Sequence, residues 1–143
     1  MGFTAFNYGA NVLAFEKNNM KYAMTCAWAM QVDYDKVVCL LGSQSVTGKA
    51  IEKGDIVGLS ALNEKQENIA FKIGETHSDQ CNKFEGIDYK QEGSAIYIND
   101  STKIMTLEII DVLHLAEIEE DNLVYGRIIN YVENDIPFYQ FNK

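Results

Sequence analysis

The chain is short of several residue types, and each shortage narrows what it can be. Its 143 residues include one proline, Pro137, and one arginine, Arg127. With no Gly/Ser-rich linker, internal repeat or low-complexity tract beside them, the sequence predicts one domain over residues 1–143. A chain of this length buries about two-thirds of its unfolded surface. Cysteine is scarce: Cys26, Cys39 and Cys81 are an odd number with no C-x-x-C pair, which suggests neither a disulfide framework nor a zinc site. Cys26 and Cys39 lie in apolar runs, where free cysteine behaves as a small buried hydrophobe. The two histidines, His77 and His114, are 37 residues apart, so neither a histidine-rich metal set nor a cysteine–histidine nucleophile pair is supported by spacing.

Long apolar runs are also missing. None approaches the roughly 20 residues that span a bilayer. The opening "MGFTAF" has no basic region ahead of an apolar stretch, and Phe6 stands where a myristoylation signal has Ser or Thr. The expectation is a cytoplasmic protein with no membrane partner. Positive charge is outweighed: 12 Lys and Arg face 21 Asp and Glu, a net charge of −9 that would repel nucleic-acid phosphates. Acid concentrates late, with eight carboxylates between Glu108 and Asp135 against Arg127 alone, a pattern that reads as a solvated face.

What is abundant is strand. Runs rich in β-branched and aromatic residues predict strands over Val12–Phe15, Tyr22–Val32, Val37–Leu41, Ile56–Leu59, Ala95–Ile98, Ile104–Leu115 and Leu123–Val132. Two helices interrupt them. One follows Thr47 and ends at Gly54. The other follows "LNEKQENIAFKIG", where Asn63 and Gln66 form a capping box, Ile69 and Ile73 share a face, and Gly74 ends the helix. A short turn is predicted near Asp79–Phe84. Many strands with short helices between them predict a mainly β protein, a barrel or curled sheet with helical decoration.

Two stretches carry chemistry. In "LLGSQSVTGKAIEKG" a strand enters a polar loop and then a helix. It is not a P-loop: five residues separate Gly42 from Gly48, and Ala50 stands where magnesium needs a hydroxyl. Two readings remain. Either Thr47 or Ser45 only caps the helix, or the helix start, with Ser43, Gln44, Ser45, Thr47 and Lys49, receives an oxyanion. In "KYAMTCAWAMQV" a period of two puts Tyr22, Met24, Cys26, Trp28, Met30 and Val32 on one bulky face, predicted to fill the core. Ala23, Thr25, Ala27, Ala29 and Gln31 form a bare face. That face either admits something flat against the backbone or packs tightly on a helix or a partner subunit.

Taken in order, six segments resemble those of the flavin reductase-like family, the FMN-binding split β-barrels. "NYGANVLAF" is similar to its opening strand, "NMKYAMTCAWAMQV" to its flavin-side strand, and "VVCLLGSQSVTGKAIEKG" to the strand, loop and helix that follow. "IVGLSALNEKQ" resembles its next strand and capped helix, "GETHSDQCNKFEGID" its Gly…Lys-Phe segment, and "PFYQF" its closing Pro-x-Tyr. The resemblance covers roughly residues 8–140. It implies a split barrel that binds FMN, with the phosphate at Ser43, Gln44, Ser45, Thr47 and Lys49. The ring would lie along Thr25, Cys26, Ala27 and Trp28, approached by Ser60, Ala61 and Leu62 and closed by His77, Ser78, Lys83 and Phe84.

It further implies an NAD(P)H-dependent flavin reductase or oxidoreductase with no catalytic side chain of its own. NADH or NADPH would be the donor and a small molecule or protein the acceptor, in a homodimer whose flavin lies near the subunit interface. The chain departs from the family's pattern in three places. Asp121 or Asn122 stands where a late-strand histidine on the nicotinamide side is common. Asp79 stands about where an arginine is common, and "DYDK" replaces a proline pair. These departures bear on nicotinamide use more than on FMN. Two further readings therefore accompany the enzyme: an FMN electron carrier that never meets a nicotinamide, and a flavin-free split barrel acting as an interaction module. A pyridoxamine-phosphate oxidase-like barrel would show more arginine at its phosphate site.

Overall fold

Asn18 and Asn19 both sit at positive φ, 53° and 65°, and so make the tight two-residue turn of the first hairpin. That turn joins β1 (Asn11–Lys17) to β2 (Met20–Cys26). A computed structural model supplies the geometry, and it describes residues 5–42, 46–74, 84–118 and 121–140. The chain continues through β3 (Ala29–Asp33), β4 (Lys36–Gly42), a five-residue helix α1 (Val46–Ala50), β5 (Ile56–Ala61) and α2 (Glu67–Gly74). It closes with β6 (Tyr89–Glu92), β7 (Ala95–Ile98), β8 (Lys103–Leu113) and β9 (Asp121–Glu133). Every strand pair is antiparallel.

The strands run in the order β3-β4-β9-β8-β5-β1-β7-β6, with β2 on the remaining side of β1. The sheet is not closed. β2 and β3 lie at opposite ends of the path around the barrel, and Ala27 and Trp28 carry the chain across the split. One core fills the inside, built from Leu13, Phe15, Cys26, Val37, Cys39, Leu41, Leu59, Leu107 and Val124 with Ile51 entering from beyond α1. A second lies outside β1 and β2, where Val12, Ala14 and Ala23 pack on Ala70 and Ile73 of α2. β1 therefore buries both faces, which accounts for an apolar run where alternation would otherwise appear. The predicted mainly β split-barrel class is the observed one.

Three local expectations need correction. The single strand predicted over Tyr22–Val32 is two strands, and the break inverts the faces. Cys26 and Ala29 both look into the inner core, an odd step apart, so the bulky set divides. Tyr22, Met24 and Cys26 pack inward, whereas Trp28 and Met30 are each 63 % exposed and Val32 is half-exposed. The first helix stops at Ala50; Gly54, at φ +92°, serves the turn into β5, where its N–H reaches the Ile109 carbonyl. Strand β6 was not anticipated, because "YKQE" carries almost no apolar content to mark it. The second helix has its capping box: Gln66 Oε1 accepts from the Asn63 N–H, and Asn63 Oδ1 accepts from the Lys65 N–H, both at 2.8 Å.

Candidate functional site

The register of β1 brings distant predicted residues together. Asn11 lies opposite Cys26 on one side and Ala61 on the other; Val12 lies opposite Thr25 and Ser60. Residues 35 apart in sequence thus occupy two adjacent rows of one sheet, about 10 Å apart across two strand spacings. Asn11 Nδ2 donates to the Cys26 carbonyl at 3.0 Å and fixes the last residue of β2 before the split.

Hydroxyls on the bare side of β2 are tied to helices. Thr25 Oγ1 donates to the Ala70 carbonyl of α2 at 2.7 Å, and Thr47 Oγ1 of α1 donates to the Ala23 carbonyl at 3.1 Å. At Ala23 and Thr25, then, the bare face is packed. Past the end of β2 the faces invert, and Ala27 and Ala29 line clefts instead. Ser60 is fully buried, and its Oγ accepts from the Ile98 N–H at 3.0 Å. The Leu62 backbone is bonded on both sides, to the Ala10 carbonyl and the Tyr139 N–H.

Three clefts meet at Ala29. One of about 560 Å³ includes Ala27, Trp28, Phe6 and Leu123. One of about 520 Å³ opens the barrel mouth past Asn11, Ala61, Met105 and Tyr131. One of about 380 Å³ runs beside Asn11, Ala61, Leu62 and Tyr139. Each falls in the ~300–1,000 Å³ range of small-molecule sites. Their common floor is Ala29, flanked by Ala27 and Ala61, so a flat molecule can approach the backbone. Phe138 and Tyr139 form one wall, held by the Asn63–Phe138 bridge and by Tyr139 Oη donating to Glu67 Oε1 at 3.2 Å. Burial, and then the Glu67 carboxylate, push the Tyr139 phenol above its ordinary pKa.

Of the other predicted residues, Lys49 is exposed on the last turn of α1. Phe84 is buried in the outer core, its ring 4.9 Å from that of Tyr89. Ser43, Gln44, Ser45, His77, Ser78 and Lys83, and most of the turn predicted near Asp79–Phe84, lie outside the described residues. Cys26 bridges the split: its Sγ is 3.3 Å from both the Trp28 and the Leu40 carbonyl oxygens. Hydrogen bonding to Cys26 and burial raise the pKa of the Cys39 thiol.

Sequence reasoning passed over Asn11, Phe138 and Tyr139 as site residues and placed Ala29 on the bare face without a role. Ala29 was the recoverable one, since its periodicity was visible. Asn11 takes its place only through strand register. Among the described residues no three His, Cys, Asp or Glu side chains group as a metal site. No helix there is long and apolar enough to cross a membrane.

A family model for the flavin reductase like domain matches residues 3–141. The chain belongs to the flavin reductase-like family. A search of curated proteins gives no match. Solved structures share the fold at low identity. The NADH:FAD oxidoreductase of Streptomyces globisporus is 16 % identical, with a TM-score of 0.81 over 94 % of this chain and 82 % of that one. The flavoredoxin of Methanosarcina acetivorans is 11 % identical, with a TM-score of 0.79 over 94 % and 73 %. The FMN-binding protein of Thermus thermophilus, solved with p-hydroxybenzaldehyde, is 13 % identical, with a TM-score of 0.79 over 94 % and 77 %. In this member of the flavin reductase-like family, the clefts meeting at Ala29 are the candidate site, and a flavin-related redox role is what membership supports.

Proposed function

We propose that this protein binds FMN in the clefts that meet at Ala29 and serves as an NAD(P)H-dependent flavin oxidoreductase. The carrying observation is that the family match spans 3–141 while Ala27, Trp28, Ala61 and Leu62 line clefts that share Ala29 as their floor. The described residues suit the ring half of a flavin. Ala27, Ala29 and Ala61 leave a slot with small side chains, and Asn11, Gln31 and Tyr139 are polar groups on the cleft walls. The phosphate is assigned to Ser43–Ser45 with Lys49 as countercharge, on the resemblance alone.

Bound flavin would supply the redox chemistry, so the chain needs no nucleophile or acid–base pair of its own. The protein's part is placement. Asn11 holds the end of β2, the Phe138–Tyr139 segment shields one side from water, and the small floor sets how closely the ring approaches the backbone.

A second copy is the proposed cover for the remaining side. The β6 edge of the sheet carries Lys90, Gln91 and Glu92, a charged guard against pairing. The β3 edge presents Met30 and Val32, with Trp28 and Tyr34 beside it, Tyr34 being 97 % exposed. Apolar groups so placed suit an interface, and we assign a two-fold dimer to this side.

One observation favours a second reading, that of an electron carrier which never meets a nicotinamide. Asp121 or Asn122 stands where the resemblance implies a nicotinamide-side histidine, and neither carries a ring nitrogen to meet a nicotinamide. The test begins with the visible spectrum of the purified protein and the mass of any flavin released on denaturation. About one FMN per chain supports the flavoprotein, and a protein that takes up no added FMN refutes it. Bleaching by NADH or NADPH without air then selects the reductase, and its absence selects the carrier.

A further inference from the structure

Among the described residues, one buried side-chain polar atom has no hydrogen-bond partner: Oδ1 of Asn122. The residue is 7 % exposed. Its Nδ2 donates to the Gly48 carbonyl of α1 at 3.0 Å. That bond fixes which end of the amide is which, because the reversed side chain would set two acceptors against each other. The unpartnered atom is therefore a carbonyl oxygen, an acceptor only. A buried acceptor stripped of water without a replacement bond is costly, so such an atom in a folded protein calls for an explanation.

Its position suggests one. Asn122 is the second residue of β9 and pairs with Leu41, one step before Gly42 ends β4. Through Gly48 its amide also holds the middle of α1. It thus joins the three elements that surround the proposed phosphate end of the site. Phosphate oxygens are acceptors as well, so this atom cannot hold the phosphate. A hydroxyl or N–H donor is required, and between the ring and the phosphate of a flavin the donors are the hydroxyls of the polyol chain.

We propose that Asn122 is a binding residue for a polyol-chain hydroxyl of the flavin, accepting through Oδ1 while Nδ2 holds α1; this rests on the flavin reading above. It gives the late-strand position a role different from a nicotinamide contact. The hydroxyl completes the hydrogen bonding of a side chain of which the protein's own groups use only Nδ2, so binding and the seating of α1 are coupled.

The test compares the wild type with Asn122→Leu, titrated by fluorescence with riboflavin, which keeps the polyol chain, and lumiflavin, which has a methyl group in its place. The substitution is expected to weaken riboflavin by roughly 3- to 10-fold, the value of one neutral hydrogen bond, and to leave lumiflavin unchanged. Equal losses for both ligands would mean that Asn122 only positions α1, and no loss for either would mean that Oδ1 meets nothing; both overturn the inference. If the variant does not fold, the side-chain amide resonances of Asn122 in the wild type carry the test. They should shift with riboflavin and not with lumiflavin, and identical responses reject the assignment. A wild type that binds neither of these nor FMN removes the flavin reading itself. Normal FMN binding with an indifferent Asn122→Leu removes this inference alone.

Discussion

At the scale of single residues, close backbone approach sets the sharpest constraints. A Cβ on Gly58 would lie 2.0 Å from the Ile96 carbonyl oxygen, where β5 passes under β7. Because the obstacle is backbone, no rotamer relieves it. Gly58→Ala should cost about 3 kcal/mol, read as a lowered urea midpoint with an unchanged slope; a midpoint within error of wild type would show that β7 gives way freely. Ala29 is the reverse case, a small residue with open clefts on three sides. Ala29→Leu should weaken flavin binding by at least about tenfold, or ~1.4 kcal/mol, by occupying the floor. Unaltered flavin affinity in a folded Ala29→Leu protein would move the ring elsewhere. Periodicity marks Ala29 as one of a bare set but does not make it a floor, and nothing local marks Gly58; the crossing element decides both.

Elements are held by a few polar ties at their ends. Asn63 caps α2 and also donates through Nδ2 to the Asp100 carbonyl at 2.7 Å, so Asn63→Ala should destabilise by about 1–2 kcal/mol. Thermal melts would check this, and a loss of only a few tenths would mean that the Asp100 bond is redundant. The segment after α1 is tied to β1 by Lys17, which donates to the Ala50 carbonyl and to Glu52 and Asp55. Burial pulls the Lys17 ammonium down, but its bonds to the two carboxylates outweigh this and hold it above the ordinary 10.5. Glu52 is lowered from 4.5 by the same hydrogen bond and charge.

The signs follow from linkage. A raised lysine contributes stability below 10.5 that is lost as pH climbs through the higher folded value. A lowered carboxylate contributes above 4.5 and loses it as pH falls through the lower folded value. The stability gap between wild type and Lys17→Met should therefore be flat between these limits and shrink at both extremes. Urea midpoints over a pH series measure it, and a gap that widens in acid would contradict the assignment. The α2 cap was legible in sequence because its motif is local. The Lys17 cluster was not, since its partners lie 35 and 38 residues away.

The whole molecule poses the question of what covers the exposed apolar side. If a second copy does, Met30→Asp should shift the protein toward monomer in analytical ultracentrifugation while leaving its melting temperature nearly unchanged at low concentration. A wild type that sediments as a monomer at about tens of micromolar, well above the Kd of a stable dimer of ~10⁻⁶ M or tighter, would reject the dimer. Legibility at this scale was uneven. Most strands, both helix positions and the barrel class were visible in periodicity and turn chemistry, and the resemblance carried the family. The inversion at Ala27–Trp28 was not visible, because alternation continues unbroken through a stretch where the chain kinks.

Local order was thus determined by sequence: where the backbone is extended, where Asn18–Asn19 turns it back, where Asn63 and Gln66 start a helix. These depend on side chains a few residues apart, and the sequence displays those directly. Only the tertiary structure decided that Asn11 stands between Cys26 and Ala61, that Ala29 is a floor, and that one oxygen of Asn122 is left without a partner. Those facts depend on strand register and on which side of the split faces inward. A shift of one residue reverses both, and distant pairings set them.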